Sequence, residues 1–147
     1  MDIITAYTPE LEFVAGGYFA YNAADEVVYF IEDHLDMEQG RLALLHEVSH
    51  ALLGHFHYGS DYELLFMEVL AWHKTKNLAP RFGLELDDLF VRECINSYDR
   101  WLTDRASCPD CNNLCLPKSG HDFRCFVCGC QWQASSDRTN SVLISRL

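Results

Sequence analysis

Basic residues are scarce in this 147-residue chain. Its 11 Lys and Arg stand against 22 Asp and Glu, for a formal net charge of -11. Phosphate contacts dominate nucleic-acid affinity, so this balance argues against nucleic acid as a direct partner, a local basic patch aside. Long apolar runs are also missing. No stretch reaches the roughly 20 residues that a membrane span needs. The opening residues, MDIITAYTPELEF, are acidic and have no apolar core of signal-peptide length. The expectation is a cytoplasmic chain with no membrane partner. Cysteine is nearly absent except in one place: of seven, only Cys94 lies outside the segment Cys108–Cys130. A secreted disulfide framework is usually even in number and spread along the chain. An odd count crowded into CxxC pairs points instead to metal binding in a reducing compartment.

What is present is 49% hydrophobic and 22% charged, the balance of a globular domain with room for a small added module. Gly16-Gly17 opens an aromatic and β-branched stretch. Tyr18–Tyr21 and Val27–Ile31 read as two strands joined by a turn at Asn22–Glu26, an antiparallel hairpin. The second run is apolar almost throughout, which predicts cover on both faces. From Met37 to about Phe56 the pattern is helical, with Leu42, Leu45, Val48, Leu52 and Leu53 as core contacts and Gly54 as a C-cap. A second helix runs from about Tyr62 to Asn77 behind a possible Asp61 cap. After Pro80 and Gly83, a third spans roughly Asp87 to Asp104, with Leu89, Phe90, Cys94, Ile95, Tyr98, Trp101 and Leu102 at helical spacing. Composition changes at Ala106-Ser107. Residues 134–140 are polar and read as a linker. The expected fold is α+β: a small domain at 1–105, built from a short antiparallel sheet and three main helices, then a cysteine-rich module at 106–147.

The first helix carries His46-Glu47-Val48-Ser49-His50. Residues four apart share a helix face, so both imidazoles can grip one zinc ion, with Glu47 beside the first. A catalytic zinc takes three protein ligands and keeps a fourth position for water. Glu68 leads the candidates for the third, because a carboxylate among Leu65, Phe66, Met67, Val69 and Leu70 is costly unless paired or metal-bound. Glu63, His73 and His57 follow. The pattern HExxHxxGxxH would need glycine at position 53 and histidine at 56, but Gly54 and His57 are each one residue late, a turn of about 100° on a helix.

Downstream, Cys108-Pro109-Asp110-Cys111 and Cys125-Phe126-Val127-Cys128 form two CxxC knuckles with 13 residues between them. Four thiolates so spaced suit a closed tetrahedral structural zinc, and Asp122–Arg124 and Gln131–Gln133 read as strands of a zinc ribbon. Cys115 and Cys130 are spare, and Cys130 is the nearer substitute ligand. With only Lys118, His121 and Arg124 as basic neighbours, the ribbon suits protein docking or bracing better than DNA contact. Two Zn2+ per chain are expected, one catalytic and one structural.

HEVSHALLGH followed by MEVLAWHKTKNLAP resembles the ImmA/IrrE-type zinc metallopeptidases over about residues 16–80. Gly17–Glu32 matches that family's strand hairpin, His46–His55 its zinc helix, and Glu68–Ala71 with Ala79-Pro80 its later ExxA-type motif. The resemblance implies a gluzincin-like fold, His46, His50 and Glu68 as ligands, Glu47 as general base, and a regulatory protein as substrate. The chain departs from the family at Trp72, where a small polar residue is usual, and in its added ribbon. Zinc would acidify its bound water and polarise the scissile carbonyl. Glu47 would then shuttle the proton, and His57, Tyr58, Tyr62 or Tyr98 would steady the oxyanion. The run Val27, Tyr29, Ile31 would pair with an extended protein or peptide substrate. Two other functions compete. SprT-like proteases also join HExxH to a cysteine ribbon and act on DNA-bound proteins, but usually use a third histidine. A non-catalytic protein-binding module would have no need of Glu47.

Overall fold

The computed structural model describes residues 2–135 and 142–147. The linker expected at 134–140 therefore lies outside the described residues from 136 onward. The fold is α+β, with four α-helices and two small sheets among the described residues. No helix is long and apolar enough to cross a membrane. The chain forms two compact units, residues 1–58 with 62–92, and residues 59–61 with 93–147. The composition change at 106–107 falls at the end of the last helix.

In the first unit, α1 (Ile3–Tyr7) is capped by Asp2, whose carboxylate accepts from the Thr5 N–H at 3.1 Å. Ile3 and Tyr7, one turn apart, are buried. Strands β1 (Glu12–Ala15), β2 (Ala20–Asn22) and β3 (Val27–Phe30) form a sheet in the order β1-β3-β2. The turn between β2 and β3 is held by Asn22, whose amide donates to Asp25 at 2.7 Å and whose carbonyl accepts from the Ala24 N–H at 3.0 Å. The hairpin pairs antiparallel with Tyr21 opposite Val28, but β1 joins β3 in parallel, with Phe13 opposite Val28. The sheet is therefore mixed where the sequence pointed to an antiparallel one. The first run is also shorter than expected. Tyr18 is 57% exposed and pairing starts only at Ala20.

Helix α2 (Glu38–Leu52) packs on this sheet. Leu42, Leu44, Leu45 and Val48 join Val28 and Phe30 in one core with Ile3, Tyr7, Ala79 and Leu84. Leu52 and Leu53, expected in that core, are 42% and 38% exposed, because the apolar stripe leaves the sheet before the helix ends. Gly40 fixes how closely α2 approaches the 3₁₀ turn at Glu32–His34. A Cβ there would sit 1.9 Å from the His34 carbonyl oxygen. Backbone cannot yield as a side-chain tip can, so Gly40→Ala is expected to cost at least about 1–3 kcal/mol of stability, read from the denaturant midpoint of the first unit. An unchanged midpoint would contradict this packing.

Helix α3 (Asp61–Leu78) buries Leu64, Glu68, Ala71, Trp72 and Thr75. Its polar core member Thr75 meets Ser49 of α2 hydroxyl to hydroxyl at 3.0 Å. A 3₁₀ turn (Ala79–Phe82) follows and Gly83, at φ 65°, reverses the chain. Helix α4 (Asp88–Ala106) starts where Asp87 accepts from the Phe90 N–H at 2.6 Å. Leu89, expected on its apolar face, is 62% exposed.

In the second unit, β4 (Pro117–Ser119), β5 (Asp122–Arg124), β6 (Gln131–Ala134) and β7 (Ile144–Arg146) form an antiparallel sheet in that order. The C-terminal residues thus add a strand, with Arg146 opposite Trp132. Trp132 is fully buried, stacks on Phe123 at 5.3 Å, and donates its indole N–H to the Arg105 carbonyl at 3.0 Å. The buried Arg105 guanidinium lies over Trp101 at 4.4 Å, donates to Asp61 at 3.3 Å and meets Nδ1 of His121 at 2.8 Å. Aromatic faces and two polar partners offset the cost of burying that charge.

Candidate metal centres

Helical spacing turns His46 and His50 to the same side of α2, where their Nε2 atoms are 3.1 Å apart. Glu68 reaches them from the middle of α3. Its Oε2 is 3.1 Å from Nε2 of His46 and its Oε1 is 3.5 Å from Nε2 of His50. These three residues can hold a metal ion. A tetrahedral ion with bonds of 2.0–2.1 Å sets its ligand atoms about 3.3–3.4 Å apart, and the separations seen fall around that value. The donor set also fits, with two imidazole nitrogens and a carboxylate that sets one oxygen beside each of them. Burial pushes the Glu68 carboxyl up, but hydrogen bonds from His46 and His50 more than offset this and bring it down to about 2. The carboxylate is thus kept ionised, the form a metal needs.

The other third-ligand candidates lie elsewhere. Glu63 and His73 are exposed on α3, and His57 is exposed in the turn after α2. Of the four candidates, Glu68 is the one the fold buries against both histidines. Among the residues considered for an oxyanion contact, Tyr58 and Tyr62 are 44% and 77% exposed, and Tyr98 belongs to the second unit.

The two histidines are held differently. His46 stacks on Trp72, with ring centroids 4.0 Å apart and planes 23° off parallel. Its Nδ1 is buried with no hydrogen-bond partner among the described residues, and so is the Trp72 indole nitrogen. His50 instead has Nδ1 2.9 Å from Nδ1 of His55. Burial, and then His50, lower the His55 pKa. The contact of His55 with His50 has no signal in the sequence beyond the Gly54-His55 pair at the helix end.

Glu47 is half-buried on α2, and its Oε2 accepts from the Tyr21 N–H at 2.8 Å. That bond shows that the outer edge of β2 faces the motif. It also corrects the expected substrate strand. Val27 and Tyr29 lie on β3, the central strand, whose main chain pairs with β1 on one side and β2 on the other. Val27 is buried, and Ile31 lies past the strand, where it begins the 3₁₀ turn. A central strand has no free edge for main-chain pairing.

In the second unit, Cys108, Cys111, Cys125 and Cys128 form a second group that can hold a metal ion. Sγ of Cys108 is 3.5 Å from Sγ of Cys128, and Sγ of Cys111 is 3.4 Å from Sγ of Cys125. Zn–S bonds of 2.3 Å imply sulfur separations of about 3.8 Å, slightly longer than those seen. The Cys125 sulfur accepts from the backbone N–H groups of Val127 and Cys128 at 3.4 and 3.5 Å. The Cys128 N–H foremost, against burial, brings that thiol down to about 6. Cys115 and Cys130 stand outside the group of four. Burial first, and then Asp110, raise Cys130 to about 11.

Compared with known proteins, the chain matches no family model and shows no significant match to a curated protein or to a solved structure.

Proposed function

We propose that this chain is a zinc-dependent endopeptidase of the ImmA/IrrE type, gluzincin-like in its first unit and carrying a zinc ribbon in its second. Its substrate would be an intracellular regulatory protein. One observation carries the reading: His46, His50 and the buried Glu68 converge within 3.1–3.5 Å, with Glu47 on the same helix beside a free strand edge. A zinc ion held there would supply a Lewis acid for the scissile carbonyl and an acidified water. The rest is the work of the chain itself. Glu47 takes a proton from the attacking water and returns it to the leaving amine. The Tyr21 N–H orients its carboxylate through one oxygen and leaves the other for the reaction. An extended substrate would approach along the outer edge of β2, with the Tyr21 N–H already given to Glu47, because β3 has no edge to offer. The four-cysteine group would hold a structural zinc, with its sheet open to protein docking.

Replacing Glu47 by Gln removes the base and keeps the shape. Glu47→Gln is expected to bind two zinc ions per chain and to lose about 10²–10⁴-fold in turnover. The substrate can be found by comparing cellular proteins cleaved in the presence of the native chain and of the variant. Equal cleavage by both would sink the assignment. If neither cleaves but DNA is bound at moderate salt, the SprT-like reading gains.

A further inference from the structure

We propose that His55 is a positioning residue for the first metal centre: its Nδ1 accepts from the Nδ1–H of His50 and so commits Nε2 of His50 to the metal. This rests on the reading of His46, His50 and Glu68 as a zinc site.

The argument begins with how α2 ends. Leu53 is the C-cap and Gly54 sits at φ 65°, the left-handed conformation glycine adopts without a Cβ penalty. The Gly54 N–H bonds to the Ala51 carbonyl at 3.0 Å, and the His55 N–H to the His50 carbonyl at 3.1 Å. These are the two crossed bonds of a Schellman motif, which folds the second residue past the cap back over the third from the helix end. In most such motifs the pair that meets is hydrophobic. Here it is His55 over His50, joined through the backbone and again through the side chains.

Proton counting then assigns the roles. The two Nδ1 atoms, 2.9 Å apart, share one proton. His50 turns Nε2 toward Nε2 of His46 and Oε1 of Glu68. For that nitrogen to offer a lone pair, the proton of a neutral His50 must sit on Nδ1. His50 is therefore the donor, and His55 accepts with its own proton on Nε2. The rings meet at 68°, with centroids 4.9 Å apart, so the contact is made at the ring edges, as a nitrogen lone pair requires. Ligating histidines characteristically donate their second N–H to such an acceptor. His46 has Trp72 stacked on it instead, so the hydrogen-bonded support of this site is concentrated on His50.

The test uses the full chain and zinc titrated against a chromophoric chelator, with the four-cysteine zinc as internal reference. His55→Phe keeps a flat ring and removes the acceptor. Its first-site affinity is expected to fall about 10–100-fold, with the visible bands of the cobalt-substituted site shifted. His55→Asn, which offers Oδ1 where Nδ1 stood, is expected to recover most of the loss. Wild-type affinity and spectrum in His55→Phe would overturn the proposal while leaving the zinc site intact. So would an Asn variant as weak as the Phe variant, since the ring would then act only by its bulk. A native chain that binds only the cysteine-held zinc would overturn both the proposal and the metal reading beneath it.

Discussion

Cys125→Ser is expected to remove one of two zinc ions and to unfold the β4–β7 sheet while leaving α2 and α3 folded. The apolar core of that sheet is little more than Phe123, Trp132, Ala134 and the cysteines themselves. A segment of this size seldom stabilises itself by burial alone. The free energy of binding a structural zinc, of order 10–16 kcal/mol, is then also the folding free energy. Cys125 is the most exacting of the four positions to replace. Its sulfur receives two backbone N–H groups and its thiol is brought down to about 6, so it ionises more readily than an ordinary cysteine. A serine hydroxyl in the same cradle ionises far less readily and binds zinc weakly. Cys115 is the control. It lies against Cys125, but burial first, and then Cys125 itself, raise its thiol pKa. Cys115→Ser is expected to keep both metals. Metal content by mass spectrometry and amide exchange across β5 and β6 read the outcome. A Cys125→Ser chain that keeps two zincs and full protection would sink the ligand assignment. A Cys115→Ser chain that loses one would move the fourth ligand to Cys115.

How much of this was readable beforehand depended on the range of the interaction. His46 and His50 follow from helical period alone. The two CxxC pairs follow from a spacing that only a metal or a redox role explains. Glu68 was legible because a carboxylate inside an apolar run carries a cost that something must offset, and the fold sets two histidines against it. What escaped was set by distant pairing. Nothing local to Glu12–Ala15 says that it lies parallel to β3, yet that pairing closes the second edge of β3 and transfers the free edge to β2. The apolar run Val27–Phe30 did predict cover on both faces. Cover on both faces and pairing on both edges are separate properties, and only the first is written in hydropathy. Leu52 and Leu53 misled because their helical phase fits the core while their position along α2 is past the sheet. His55 escaped for a geometric reason: its contact depends on a chain reversal at Gly54, where helical phase no longer applies.

Glu68→Leu is expected to abolish zinc binding at the first centre, and with it all turnover, at little or no cost to the stability of the metal-free fold. The two halves of this result separate a metal ligand from a structural ion-pair residue. Glu68 is only 4% exposed, with Leu64, Ala71 and Trp72 buried on the same helix. Without metal its charge is compensated by His46 and His50, which must supply protons to do so. Removing one partner of a buried ion pair is costly when it leaves the other charge uncompensated. His46 and His50, however, can release their protons once Glu68 is gone. What remains is then the replacement of a charged cluster by a neutral one, which is often neutral or stabilising. Once the carboxylate is gone, two neutral imidazoles can still share one hydrogen bond between their Nε2 atoms, 3.1 Å apart. The fold alone therefore gives little reason for a carboxylate at this position. A metal does, because it needs a third ligand and an anion. With free zinc at 1,000 times its dissociation constant, the native first unit should gain about 4 kcal/mol, seen as slower amide exchange in α2 and α3. The Leu variant should gain nothing there, while its cysteine-held zinc behaves as in the native chain. If metal-free Glu68→Leu unfolds, the carboxylate is a structural element first. If it still binds zinc at the first centre, the third ligand lies elsewhere, and Glu63, His73 and His57 return as the residues to test.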